Sequence, residues 1–240
     1  MTLTRKLAAE FIGTFFLMFT VGMAVATAGN LAPLAIGAVL MVMVFAGGHI
    51  SGGHYNPAVS TAVLARGRMA VDEYLPYVVI QLVAAILAGL LVRGIGYRPA
   101  AAAAVAGTGK MLVVEFLFTF ALAWVVLNVA TARSTENNSF YGLAIGFTVA
   151  AGAFAVGSVS GAAFNPAVAV GASVLGLFAW SHIWVYLLAE LVAGAVAAGA
   201  FLLTQPAQKG EGQRRAVEPG GQIAQPVERG GPSGVSRPAA

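Results

Sequence analysis

The chain of 240 residues is 59% hydrophobic and only 9% charged, with a formal net charge of +4. A soluble domain averages about 45–50% apolar and about 25% charged residues. A mean hydropathy of +0.84 therefore excludes a water-exposed globular enzyme and marks an integral membrane protein. The basic balance does not call for nucleic acid, because cations beside membrane spans set orientation. Without cysteine there is no disulfide, thiolate metal site or thiol nucleophile.

Six apolar segments follow in chain order, at residues 7–28, 31–48, 75–92, 111–131, 140–157 and 181–203. Each is close to the ~20 residues that cross about 30 Å of hydrocarbon. Lipid offers no hydrogen bonds, so all six are expected to be helices. The first has the outline of a signal peptide, with Arg5 and Lys6 ahead of the apolar run and Ala26-Thr27-Ala28 behind it. Glu10 within the run and a matching segment in the second half argue against that reading. Residues 205–240 hold eight of the 22 charges, five of the ten prolines and seven glycines, the composition of a disordered tail.

The chain repeats itself. Glu10-Phe11-Ile12-Gly13-Thr14-Phe15 returns as Glu115-Phe116-Leu117-Phe118-Thr119-Phe120, and from there on the offset settles at 109 residues. Ala35-Ile36-Gly37 matches Ala144-Ile145-Gly146. The run from Ser51 to Val59 (SGGHYNPAV) matches that from Ser160 to Val168 (SGAAFNPAV), and the stretch from Tyr77 to Ala84 matches Tyr186 to Ala193. The domain 1–204 thus divides into one copy at about 5–93 and another at about 111–204. Each copy has three spans, and an odd number makes the second enter from the opposite side, so the copies are related by an axis in the membrane plane. With the N-terminus inside, the inner side holds Arg5, Lys6, Arg66, Arg68, Arg133, Lys209, Arg214, Arg215, Arg229 and Arg237. The outer side holds Arg93, Arg98 and Lys110. Ten against three obeys the positive-inside rule, and both termini fall in the cytoplasm.

Asn56-Pro57-Ala58 and Asn165-Pro166-Ala167 carry the strongest signal. Asn caps helices well, and Pro fits the first helical position, where its missing N–H is not needed. Each triplet should start a helix, but the stretch from Asn56 to Arg66 would be only about 16 Å long, half of what a span needs. Two half-helices entering from opposite faces meet at the midplane, where each N-terminus contributes about half a positive charge. Cations are repelled there, while the Asn56 and Asn165 amides can donate to a passing oxygen. The pattern describes a pore for small neutral molecules.

At this point the chain resembles the aquaporin, or major intrinsic protein, family over about residues 5–204. The resemblance implies an all-α membrane protein of six spans and two re-entrant half-helices in an inverted repeat. It also implies one pore per subunit in a homotetramer; no cofactor is expected, and the short loops and compact size point to the plasma membrane. In most members an Arg follows the second Asn-Pro-Ala; here Val168 stands there. The other constriction positions fall at Ile36, Ala153 and Ala162, an apolar and uncharged ring. Some plant vacuolar-membrane members with Val at this place pass water, urea, ammonia and peroxide. The acidic residue that follows the second motif in glycerol facilitators is missing. The family also offers a role for Glu10 and Glu115 as buried anchors of the re-entrant loops, against the default reading of an intramembrane acid as a proton relay.

Other polar residues leave alternatives. His54 donates to permeating solute or gates with pH, or else orders its loop. Glu190 matches Gln81 across the repeat, so the position calls for hydrogen-bonding capacity, met by an amide or a protonated acid. Gly142 with Gly146 and Ala84 with Ala88 are spaced for close helix contact. No His or acid set has metal-ligand spacing, and no nucleophile–base pair suggests an intramembrane enzyme. A secondary transporter remains the alternative to a passive channel, because inverted repeats with broken helices occur there too.

Overall fold

The computed structural model describes residues 1–97 and 106–208. Arg98 and residues 209–240, most of the expected tail, lie outside them. The described residues form eight α-helices: α1 (Leu3–Thr27), α2 (Ala32–Ser51), α3 (Pro57–Ala65), α4 (Val71–Gly94), α5 (Thr108–Val126), α6 (Tyr141–Ser160), α7 (Pro166–Leu175) and α8 (Ile183–Thr204). Six of these are long and apolar enough to cross a membrane, while α3 and α7, at 9 and 10 residues, are not. At 1.5 Å per residue the short pair reach only about 14–15 Å. The expected span 111–131 ends differently: α5 stops at Val126, and residues Leu127–Thr131 widen into a π-helical turn.

Local chemistry sets the ends. Pro33 sits in the first turn of α2, and α4 opens with Asp72 and Glu73 and closes with Arg93, all matching the helix dipole. α2 and α6 both stop at a left-handed glycine, Gly52 at φ 93° and Gly161 at φ 89°. Such a residue ends a helix without the Cβ clash that any other side chain would suffer. Those two stops release the chain into the segments that lead to α3 and α7.

The copies pack through repeat-related contacts. α2 crosses α6 where Gly37 meets Gly146: a Cβ on Gly37 would lie 2.6 Å from the Gly146 carbonyl oxygen, and one on Gly146 would lie 2.4 Å from that of Gly37. The half-helices press on long helices in the same way. A Cβ on Gly194 of α8 would come within 2.3 Å of Ala58 O in α3, and one on Gly89 of α4 within 2.6 Å of Gly171 O in α7. Gly142 receives the Phe45 ring, and Ala84 and Ala88 are fully buried, so both small-residue spacings are used inside the chain. Leu, Val and Phe side chains such as Phe16, Val79, Leu117 and Phe154 cover the outside instead. That inversion of the soluble pattern suits a lipid-facing surface.

The two ends of the described residues, near Lys6 and Gln208, share one face of the bundle. Lys6 pairs with Glu73 at 2.6 Å, and Arg66 donates to Thr131 O and to Gln208 Oε1 beside Arg133. Arg93 lies at the opposite end, donating to Val174 O. Gly146→Leu is expected to lower stability by about 1–3 kcal/mol or more, the range for overpacked contacts. Thermal unfolding in detergent measures this, with Gly109→Leu, at a position open to space, as the unaffected control.

Candidate functional site

Each half-helix is capped by the Asn of its own motif. Asn56 Oδ1 accepts from Ala58 N at 2.8 Å and Val59 N at 3.4 Å, and Asn165 Oδ1 accepts from Ala167 N at 2.9 Å and Val168 N at 3.4 Å. The amide nitrogens then reach across. Asn56 Nδ2 donates to Phe164 O and Asn165 Nδ2 donates to Tyr55 O, both at 2.8 Å. The two N-termini therefore abut, clasped by a reciprocal pair of bonds. The sequence-based picture had these amides donate to a passing oxygen. The geometry commits one hydrogen of each amide to the clasp and leaves one for the lumen.

The loops that deliver these asparagines are held by carboxylates. Glu10, fully buried, accepts from Ser51 Oγ at 2.7 Å, His54 N at 2.9 Å, Tyr55 N at 2.7 Å and Gln81 Nε2 at 2.9 Å. Glu115 accepts from Ser160 Oγ at 2.5 Å, Ala163 N at 3.1 Å and Phe164 N at 2.9 Å. The hydroxyls of Tyr77 and Tyr186 donate to Ser51 O and Ser160 O in turn. Tyr55 and Phe164 both sit at φ 49°, and Gly53 and Ala162 at 62° and 55°. A left-handed non-glycine residue costs of order 1–3 kcal/mol, and the carboxylate bonds to the adjoining N–H groups offset it. Among the described residues no backbone N–H donates to the carbonyls of 52–54 and 161–163.

Ile36, Ala153, Ala162 and Val168 come together on one cavity of about 230 Å³ that also reaches Asn56, Asn165 and His54. Among the described residues those last three bring the only polar side chains to its lining, and none that lines it is charged. His54 also borders a second space of about 620 Å³ at the other end, edged by Lys6, Arg68, Glu73, Arg133 and Glu136. His54 Nδ1 lies 3.1 Å from Ser60 Oγ, which already accepts from Gln81 Nε2 at 3.1 Å. The Ser60 hydroxyl, with one donor and two acceptor sites, can meet Nδ1 in either tautomer of the imidazole. His54 thus has both a bond to Ser60 and a place on the two cavities.

Phe178 was not anticipated. It lines the 230 Å³ cavity, stacks on Tyr186 with ring centroids 4.9 Å apart, and occupies the space beside Gly161, where a Cβ would lie 2.4 Å from its ring. The 109-residue offset pairs it with Met69, which lines the other space. That pairing was a signal in the sequence, unreadable until one partner had been placed.

Six spans around two opposed half-helices, with a polar clasp at their meeting point and an apolar passage beside it, define a membrane channel. A family model described as major intrinsic protein matches residues 1–201. The glycerol uptake facilitator protein-like 6 of Lactiplantibacillus plantarum is 37% identical over 206 residues, covering 81% of this chain and 95% of that protein. Nodulin-26 of Glycine max is 36% identical over 205 residues, covering 80% and 74%. An aquaglyceroporin of Plasmodium falciparum, solved by X-ray, shares the fold with a TM-score of 0.73 at 21% identity, over 86% of this chain and 99% of the other. The chain belongs to the major intrinsic protein family and is a passive channel for water and small neutral solutes. Membership of this family favours the passive channel over the coupled transporter that the inverted repeat alone had left open.

Asn56→Asp and Asn165→Asp each keep the cap but turn the clasping donor into an acceptor that faces a carbonyl. Each is expected to cost about 1–3 kcal/mol, the penalty for an unmet buried polar group. Because the two sites are equivalent, the two losses should match when read as unfolding midpoints in detergent.

Proposed function

We propose that this channel is broadly permeable to small neutral solutes, with Ile36, Ala153, Ala162 and Val168 forming its selectivity constriction. Urea, ammonia, hydrogen peroxide and small neutral metalloid species are the candidates beyond water. The observation that carries the reading is the uncharged, almost wholly apolar lining of the cavity on which those four side chains meet. Val168 supplies neither charge nor donor, so the ring neither grips water nor selects for solutes that satisfy a fixed cation. A weakly hydrated neutral molecule crosses such a wall at little cost, whereas an ion must shed water that nothing replaces. Proton and cation exclusion then falls to the two half-helix ends and the remaining N–H groups of Asn56 and Asn165. A water held by those donors cannot take a proton from its neighbour.

In this reading Glu10 and Glu115 anchor the loops and relay no protons, His54 borders the lumen, and the chain performs no catalysis. It works as a homotetramer in the plasma membrane with both termini cytoplasmic. The distribution of cations supports the orientation: Lys6, Arg68 and Arg133 surround the wider space, and Arg93 stands at the other end.

Val168→Arg places a cation and several donors on the ring. Urea and ammonia flux should fall about tenfold relative to water flux, equivalent to ~1.4 kcal/mol in the barrier. Stopped-flow light scattering on proteoliposomes, with water, glycerol, urea and ammonia in parallel, measures the ratio. An unchanged ratio rejects the constriction assignment.

A further inference from the structure

Glu190 of α8 is fully buried, and among the described residues neither of its oxygens has a hydrogen-bond donor at bonding distance. Its carboxyl lies against that of Glu115, with the backbone N–H of Asn165 turned toward it. Two ionised carboxylates in contact within an apolar interior repel, so such a pair retains a proton. Among the described residues no cation acts on either acid. α7 and α3 carry no titratable side chain, and Arg66, just past the end of α3, sits over the Phe201 ring, eleven residues further along α8. Tyr186, on the same helix as Glu190, spends its hydroxyl on Ser160 O.

The partners of each acid decide which one holds the proton. Glu115 accepts from Ser160 Oγ, Ala163 N and Phe164 N, a donor set that suits an ionised, acceptor-only carboxylate. Glu190 meets no such set. The repeat gives the same answer independently. Gln81 occupies the matched position in α4, and its Nε2 donates to Glu10 Oε2 at 2.9 Å, next to the bond from Tyr55 N. In the second copy Phe164 N reaches Glu115 Oε2, and Glu190 stands where the amide donor would be.

We propose that Glu190 is held as the neutral acid and donates to Glu115 the hydrogen bond that Gln81 donates to Glu10. It is a positioning residue. By completing the coordination of Glu115 it fixes residues 160–165, and with them Ala162 and Asn165, without touching the permeating molecule. The half of the channel that carries the apolar ring is thus braced through a proton, and the other half through an amide.

Infrared spectroscopy and water flux on the full chain in phospholipid vesicles at neutral pH test this with Glu190→Gln and Glu190→Leu. Wild type should show the carbonyl stretch of a protonated carboxylic acid, and Glu190→Gln should lack it. Water permeability should be unchanged in Glu190→Gln and fall about tenfold in Glu190→Leu, since a hydrogen bond to a charged acceptor is lost. A wild type without the acid band, or a band that persists in Glu190→Gln, overturns the proton assignment. Equal losses in both variants, or a Glu190→Leu channel as permeable as wild type, overturn the positioning role. Should Glu190→Leu fail to reconstitute, the band and the flux of Glu190→Gln decide alone. Water is the permeant measured, so the outcome is independent of the solute range proposed above.

Discussion

The constraint behind this structure is that non-helical backbone has been placed at membrane depth, where no water satisfies it. Within residues 51–56 and 160–165 no backbone N–H pairs with a backbone carbonyl of the same segment, and only Gly53 N and Ala162 N find a local side chain, the hydroxyls of Ser51 and Ser160. A side chain must collect the N–H groups, and it needs several acceptor sites on a short, rigid reach. A carboxylate offers about four. Glu10 fills them with one hydroxyl, two amides and the Gln81 side chain. An acid in the middle of a span is costly in isolation, and here the loop it gathers is the compensation. The direction of each half-helix, the clasp between the asparagines and the shape of the lumen all depend on that collection point.

Once the scaffold is symmetric, the differences between copies carry the function. The same geometry places Val44, Gly48, Arg68 and Met69 on the wide space and Ala153, Gly157, Leu177 and Phe178 on the narrow one. Gly53 and Ala162 share a backbone conformation but differ by a methyl group. His54 with Ser60 becomes Ala163 with Ala169, so the polar ring that edges the lumen in one half is absent from the other. The duplication fixes where a side chain will stand, and substitution then sets what a solute meets there. Among the described residues the wide space is lined by polar and charged side chains and the narrow one mostly by apolar ones.

Most of this was legible in the sequence because the strongest constraints are local or repeated. Span length, the Asn-Pro start of α3 and α7 and their shortness follow from helix geometry and capping alone. The odd number of spans per copy gives their opposition. The anchors needed more: Glu10 and Glu115 are symmetric, but nothing in the chain says that their partners are backbone amides 44–49 residues away. The clasp was half visible, since Asn was read as a donor to solute when one of its hydrogens belongs to the opposite loop. Phe178 was invisible because its place depends on how the chain returns after α7, a tertiary matter without periodicity. Likewise the π-helical turn at Leu127–Thr131 leaves no mark in hydropathy, which registers the apolar run and not its pitch.

The residue after each motif shows why such a fold tolerates wide variation in its lumen. Val59 and Val168 both give their backbone N–H to the capping Asn of their own half-helix. That bond is indifferent to the side chain, so the helix start survives whatever stands there. Val168 turns its side chain to the cavity, and the neighbouring Ala167 and Ala169 are fully buried against the protein. A change at 168 therefore alters what a solute meets without disturbing the clasp, the cap or the anchors. In the proposed constriction, the atoms of Val168 that a solute meets are thus different from those that hold the helix start.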